Sequence, residues 1–362
     1  MSDITKIQEG EAWENPAALD GFAFIELTDH GPEALTALLG ALGFTRVGAS
    51  PSGLVGWFRQ GASHILLNCD PASDAAAFLK AHGPGVSAIA FHSATPADAL
   101  AHALSRGAEA APADALDLRA LRGVGGGKIY LAPIGWTPAA AGFSGAGVEV
   151  PEGAGLVEID HLTHNVDRGG VDRWARFYER AFNFREVRSF DIKGEYSGLF
   201  SRAMTAPDQR VRIPLNEEAE GSSGGQIDEF LRVFNGEGVQ HVAFTSRNIY
   251  DTIDRLRAAG VPLMTAPTGT YYEMLAERLP GHGEPVEELM RRGLLIDGST
   301  TDGPRRLLLQ IFTQTLIGPA FFEIIERKGE RGFGEGNFKA LFESMERDQL
   351  RRDALGGAPS ER

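Results

Sequence analysis

Two stretches of the chain repeat one pattern of apolar and polar positions. GVSAIAFHSATPADALAHALSRGA (85–108) lies over GVQHVAFTSRNIYDTIDRLRAAGV (238–261) without a gap. Each opens on glycine and an alternating apolar run, the pattern of a half-buried strand. Each then crosses a polar link into helical spacing, with Ala97, Leu100 and Leu104 in the first copy and Ile249, Ile253 and Leu256 in the second, and stops at small residues and glycine. A second pair repeats in the same order: GFAFIELTDHGPEALTALLGALGFTRV (21–47) and GLVEIDHLTHNVDRGGVDRWARFYERAFNFREV (155–187), with a longer link in the latter. Both read as strand, loop, helix, small turn and strand, so βαβ-type units recur along the chain.

The halves meet near 135–155, where GWTPAAAGFSGAGVEVPEGAG is rich in Gly, Ala and Pro and has no periodicity. This divides the chain into an N-terminal module, 1–150, and a C-terminal module, 151–362. The second half is longer and carries insertions, NEEAEGSSGGQ (216–226) and PTGTYYEMLAERLPGHGEP (267–285). Insertions in one copy of a duplicated scaffold usually carry function, which places the chemistry in the second half.

Composition narrows the classes. The 362 residues suffice for two domains, and 43% hydrophobic with 23% charged residues is ordinary for a globular protein. A net charge of −14 argues against a nucleic-acid partner. No apolar run reaches the ~18 residues of a membrane span, and the polar, acidic start is unlike a signal peptide; a cytoplasmic location is expected. One cysteine, Cys69, in the strand-like HILLNCD, excludes an internal disulfide and a cysteine-based metal cluster within one chain. It reads as a buried structural thiol, so any metal ligands should be nitrogen and oxygen.

The repeat also weighs the histidines. His161 in EIDHLTH is matched to Glu26 in FIELTDH, and His241 in VQHVAFTS to Ala88 in VSAIAFHS. A lone strand histidine is usually a core residue, but two at corresponding repeat positions, both absent from the first copy, point to a shared role. RRLLLQIFTQTLIGPAFFEIIERKG (305–329) reads as two strands about a Gly-Pro turn, with Glu323 inside the apolar FFEII. An unpaired carboxylate there would be costly, so Glu323 is either salt-bridged to a neighbouring arginine or the third ligand. Glu326 and Glu158, nearer strand ends, read as solvated. Two imidazoles and a carboxylate form the facial triad of Fe(II) oxygenases and leave open positions, although zinc in a hydrolase can use the same set. His164 competes with His161, but three residues apart on a strand they face opposite sides; the repeat favours His161 and leaves His164 structural. The glycines of GVGGG (123–127) lack a dinucleotide-binding context and read as a turn.

Several stretches resemble the 4-hydroxyphenylpyruvate dioxygenase family of the vicinal-oxygen-chelate superfamily: IDHLTHNV, FNFREVRSFDIKGEYSGLFSRAM, RIPLNEE, NGEGVQHVAF, TYYEMLAERLP, LLLQIF, GPAFFEIIERKG and GFGEGNFKALFESMERDQLRR. The likeness covers nearly all of residues 15–352 and is strongest from 155 onward. It implies an α+β fold of two barrel-like modules built from βαβββ units, with the N-terminal one metal-free. It implies one Fe(II) per subunit on His161, His241 and Glu323, and conversion of 4-hydroxyphenylpyruvate and O2 to homogentisate and CO2 in tyrosine and phenylalanine breakdown. Gln240, Gln310 and Asn216 would act in catalysis, as uncharged amides that hold a phenol and oxygen ligands without supplying protons. Ser201, Asn216, Gln226, Gln310, Phe312, Phe321, Phe333 and Phe338 would line the substrate site, the phenylalanines stacking on its ring.

Residues 332–352, Gly-rich and then amphipathic, are expected to hinge as a C-terminal lid helix over the cavity. The alternatives are a 4-hydroxymandelate synthase with the same substrate and triad, or a metal-free small-molecule binding protein on the same scaffold. Small-molecule 2-oxo acid and O2 are the expected partners, without nucleic acid or membrane, in a homo-oligomer (dimer or tetramer).

Overall fold

The computed structural model describes Lys6 and residues 11–193, 198–219, 225–301, 303–334 and 336–337. The first half runs β1 (Leu19–Thr28), α1 (Pro32–Ala41), β2 (Thr45–Ala49), β3 (Val55–Gln60), β4 (Ser63–Asn68), α2 (Asp74–His82), β5 (Gly85–Ser93), α3 (Pro96–Ser105), β6 (Arg119–Arg122) and β7 (Lys128–Pro133). Its strands form one sheet in the order β2-β3-β4-β1-β5-β7-β6. Val47, Trp57, Leu66, Phe24, Ala88, Tyr130 and Ala120, one or more from every strand, meet in a single cluster. The sheet therefore curls into a barrel-like shell with its concave face filled by side chains.

The second half runs β8 (Leu156–Asn165), α4 (Gly170–Phe182), β9 (Arg185–Lys193), β10 (Gly198–Thr205), β11 (Arg212–Glu218), α5 (Gln226–Phe234), β12 (Gly238–Ser246), α6 (Ile249–Ala258), α7 (Gly269–Glu273), α8 (Leu275–Arg278), α9 (Val286–Arg292), β13 (Leu295–Ser299), β14 (Arg306–Phe312) and β15 (Phe321–Lys328). Its sheet order is β13-β14-β15-β12-β8-β11-β10-β9. At the centre of each sheet an antiparallel pair, β1–β5 or β8–β12, is flanked by parallel partners. The fold is the expected pair of barrel-like modules.

The opposite faces of both sheets share one large core with the helices. Ile25 and Leu27 of β1, Leu162 of β8, Val242 of β12 and Tyr178 of α4 all belong to it. Apolar positions of α6 behave as their spacing implies, since Ile249, Ile253 and Leu256 are fully buried. In α3 the expectation needs correction: Ala99 and Ala103 face the core, while Leu104 is 40% exposed. Helix α3 packs on α4 of the second half as well as on β6 and β7, and small residues permit that close approach. Cys69 is half-buried just past β4, and burial raises its thiol pKa.

The two sheets pair their central strands in the same senses, but not in the register read from the sequence. Ala90 of β5 lies opposite Phe24 and beside Tyr130, whereas its counterpart Ala243 of β12 lies opposite His161 and beside Glu323. His161 thus corresponds to Phe24, not to Glu26, whose place is taken by Thr163 opposite His241. A slip of two residues keeps every side chain on the same face, so apolar alternation alone could not reject it. The positions equivalent to His161, His241 and Glu323 in the first module are Phe24, Ala88 and Tyr130, and the Phe24 and Tyr130 rings pack 5.5 Å apart. The first shell is closed by aromatic packing where the second opens onto polar groups.

Candidate metal centre

On the concave face of the second sheet, His161, His241 and Glu323 each offer a ligand atom, and these atoms lie within 4.8 Å of one another. His161 Nε2 is 3.1 Å and His241 Nε2 3.3 Å from Glu323 Oε2, and the two Nε2 atoms are 3.4 Å apart. Glu323 and His161 are 2% exposed and His241 9%. The three come from the adjacent strands β8, β12 and β15, so the sheet itself sets their spacing.

Two bulges decide how the imidazoles point. Between Ala243↔His161 and Phe244↔Ile159 the strand β8 carries one extra residue, Asp160; between Val239↔His164 and His241↔Thr163 the strand β12 carries Gln240. A bulge turns two consecutive side chains toward one face. Asp160 Oδ2 therefore accepts from His161 Nδ1 at 2.8 Å, and Gln240 Oε1 accepts from His241 Nδ1 at 3.0 Å. A carboxylate and an amide oxygen can only accept, so each Nδ1 carries the ring proton and each Nε2 is left with a lone pair when the ring is neutral.

Asp160 is itself held. Arg327 reaches it through Nε at 2.8 Å and Nη2 at 2.7 Å, and Arg212 Nη1 donates at 3.0 Å. Burial would raise the Asp160 pKa, but these two guanidiniums hold it well below the usual carboxylate range. Burial likewise opposes ionisation of Glu323, yet the facing histidines bring its pKa to about 2. For His161, burial disfavours charge, and the Glu323 and Asp160 carboxylates outweigh it to raise the pKa; for His241, burial dominates and lowers it.

These groups fit a metal ion. Three electron-rich atoms converge, and Glu323 Oε1 is buried without a hydrogen-bond partner. Without a cation such an arrangement needs a proton on His161, which a divalent metal would displace. An all-nitrogen-and-oxygen donor set with two imidazoles and one carboxylate suits Fe(II).

Aromatic rings enclose the cluster. Phe321 stacks on His241 at 4.9 Å, Phe312 stands edge-on to Phe321 at 5.9 Å, and Phe333 stands edge-on to His161 at 5.3 Å. Gln310, 3% exposed, keeps Oε1 without a partner. Ser201 of β10 and Asn216 of β11 are paired in register. Gln226 is exposed at the start of α5, where the helix start sets its position. Phe338 and the lid helix lie outside the described residues. His164 faces away from the triad, its Nε2 bonded to Tyr178 of α4 at 2.9 Å, and burial lowers its pKa to about 3. Glu326 is not simply solvated: its Oε2 accepts from Ile249 N at the start of α6.

The described start of the C-terminal segment is tied down by the 267–285 insertion. Tyr271 of α7 donates to Asn337 Oδ1 at 2.6 Å, Arg278 of α8 lies 3.4 Å from the same oxygen, and Gly336 N donates to Asp297 at 2.8 Å. A Cβ on Gly334 would overlap Gln310 Oε1, and one on Gly336 would overlap Asp297 Oδ1. These glycines serve close approach rather than a hinge alone. Asp160, Arg327, Arg212, Tyr271 and Asn337 were not singled out in the sequence; only the acidic and amide residues directly preceding the two histidines hinted at the supporting shell.

Comparison with known proteins agrees with this geometry. Residues 13–134 match the family model described as hydroxyphenylpyruvate dioxygenase, N-terminal, and residues 158–280 match that of the glyoxalase/bleomycin resistance protein/dioxygenase superfamily. The 4-hydroxyphenylpyruvate dioxygenase of Pseudomonas sp. (strain P.J. 874) is 52% identical over 95% of this chain and 99% of its own length. That of Pseudomonas aeruginosa is 46% identical over 98% of this chain and 100% of its own. Among solved structures, a variant of 4-hydroxymandelate synthase from Streptomyces coelicolor superposes with a TM-score of 0.75 at 27% identity, covering 92% of this chain and 99% of that one. Near-complete coverage in both directions, at such identity, carries the conclusion that the chain belongs to the 4-hydroxyphenylpyruvate dioxygenase family.

Proposed function

We propose that the chain converts 4-hydroxyphenylpyruvate and O2 to homogentisate and CO2, in tyrosine and phenylalanine breakdown, with one Fe(II) held by His161, His241 and Glu323. The observation that supports it most is the convergence of two imidazole nitrogens and a buried carboxylate, its second oxygen unpartnered, beside phenylalanine rings in a member of this family. Fe(II), when bound, supplies the redox chemistry that couples reduction of O2 to loss of CO2 from the 2-oxo acid.

The chain's own groups do the rest. Asp160 and Gln240 keep the ring protons on Nδ1, so that both Nε2 atoms face the metal position. Phe312, Phe321 and Phe333 exclude water and offer faces for an aromatic ring, and phenylalanine resists oxidation better than Tyr or Trp. Gln310 and Asn216 offer neutral hydrogen bonds to substrate oxygens without delivering protons. The rival product is 4-hydroxymandelate, since a synthase of that product shares the fold.

Aerobic turnover of 4-hydroxyphenylpyruvate with added Fe(II), followed by chromatographic product analysis, tests the reading. Homogentisate is expected from the wild type. His161→Ala, His241→Ala and Glu323→Ala should each lose bound iron and reduce turnover by orders of magnitude. Formation of 4-hydroxymandelate, or unchanged turnover in the triad variants, would overturn it.

A further inference from the structure

One side chain at the end of β8 is fully buried and has no partner. Asn165 ends β8, is 0% exposed, and neither its Oδ1 nor its Nδ2 meets a hydrogen-bond partner. A buried amide left this way bears the desolvation cost of a donor and an acceptor together, so a ligand or water must answer it.

Its direction follows from the strand. From His161 to Asn165 every residue of β8 has its own partner on β12, the extra residue lying on β12, so 161, 163 and 165 share the metal-facing side. His164 between them points to Tyr178 on α4, which fixes the other side. Laterally, Ser201 of β10 pairs with Asn216 of β11, and Asn216 with Asn165 of β8. Three polar side chains thus form a row across the concave face, four residues or about 13 Å of strand from His161.

Resting on the reaction proposed above, we propose that Asn165 recognises the para-hydroxyl of the substrate. An aryl 2-oxo acid held at the triad by its oxo-acid end directs its ring away from the metal, and the para substituent is the atom farthest out. A phenol hydroxyl both donates and accepts, matching an amide with oxygen and nitrogen both free. Being neutral, Asn165 binds the phenol without ionising it. Phenylpyruvate, lacking the hydroxyl, would leave Asn165 unanswered.

The test compares wild type with Asn165→Leu, which keeps the shape and removes both polar atoms. Each protein is assayed for kcat/KM with 4-hydroxyphenylpyruvate and with phenylpyruvate, and each Fe(II) form is titrated anaerobically with both acids, read by absorbance. The preference for the hydroxylated acid should fall about fivefold or more in both readouts, chiefly through loss on 4-hydroxyphenylpyruvate. An equal effect on both acids, or no change in their ratio, overturns the proposal and leaves Asn165 a structural or water-bound residue. If Asn165→Leu does not fold, Asn165→Ala, which also removes both polar atoms, carries the same comparison with the same outcomes. If wild type itself forms no homogentisate, the parent reading fails and this one with it, whereas an unchanged ratio with intact wild-type turnover removes Asn165 alone.

Discussion

At Asp160 a single side chain connects the metal position to the rest of the protein. Buried itself, it accepts a hydrogen bond from His161 Nδ1 and pairs with two arginines. Asp160→Asn keeps an acceptor for His161 but removes the charge that balances Arg327 and Arg212. Metal affinity should fall about 10–100-fold, measured by competition with a chelator. Arg327→Met leaves Asp160 buried with one partner fewer; loss of a partner from a buried pair costs about 3–5 kcal/mol, which urea denaturation of the metal-free protein would register. Unchanged stability would show that Arg212 alone suffices. His241 differs, because its Nδ1 faces the neutral Gln240, so the two imidazoles carry unequal electron density toward the shared position.

Among elements, the bulged pair β8–β12 and residues 333–334 and 336–337 do most to shape the site. In a regular ladder, where successive side chains alternate, Asp160 and Gln240 would point to the opposite face from their histidines. The insertion that folds into α7 and α8 holds Asn337, close in sequence to Phe333 against His161 and Gly334 against Gln310. Gly334 has φ +80° and lies against Gln310. Gly334→Ala both strains the backbone and displaces the amide, so turnover should drop at least tenfold while iron content stays near one per chain, as measured by metal analysis. Loss of iron together with activity would contradict this separation of Gly334 from the ligands.

Across the whole molecule, two similar shells have been given opposite interiors. Phe24 and Tyr130 fill the first where His161 and Glu323 stand in the second, and the shared core between the sheets joins them into one body. The first module also carries a titrating group, His64. Burial, and then Arg59, lowers its pKa to about 4, and Trp57 Nε1 donates to its Nδ1 at 2.9 Å, which requires the neutral ring. The unfolded chain protonates this histidine near 6.5 and the folded one near 4, so its contribution to stability is present above 6.5 and is lost as pH falls toward 4. Within that window metal-free wild-type stability should rise with pH by up to about 1.4 kcal/mol per unit for this group. His64→Gln, which can still accept from Trp57, should flatten that slope by about one proton in urea melts at several pH values. An identical slope would place the proton uptake elsewhere, His164 being the other strongly lowered histidine.

Much of this was legible from the chain alone. The period of apolar residues, two for strands and 3.6 for helices, is a local property, so the repeated units, β14 and β15 about their turn, and the buried face of α6 could be read directly. The cost of a carboxylate in an apolar strand marked Glu323, and the loss of two histidines from the first copy marked His161 and His241. What the local pattern could not carry was register and contact. Alternation is blind to a two-residue slip, so Phe24 as the counterpart of His161 appeared only when β1 met β5 and β8 met β12. The exposed Gln226, the arginines behind Asp160 and the unanswered amide of Asn165 depend on which strands lie side by side. That pairing is set by long-range packing and by single-residue bulges, and only the folded chain brings it about.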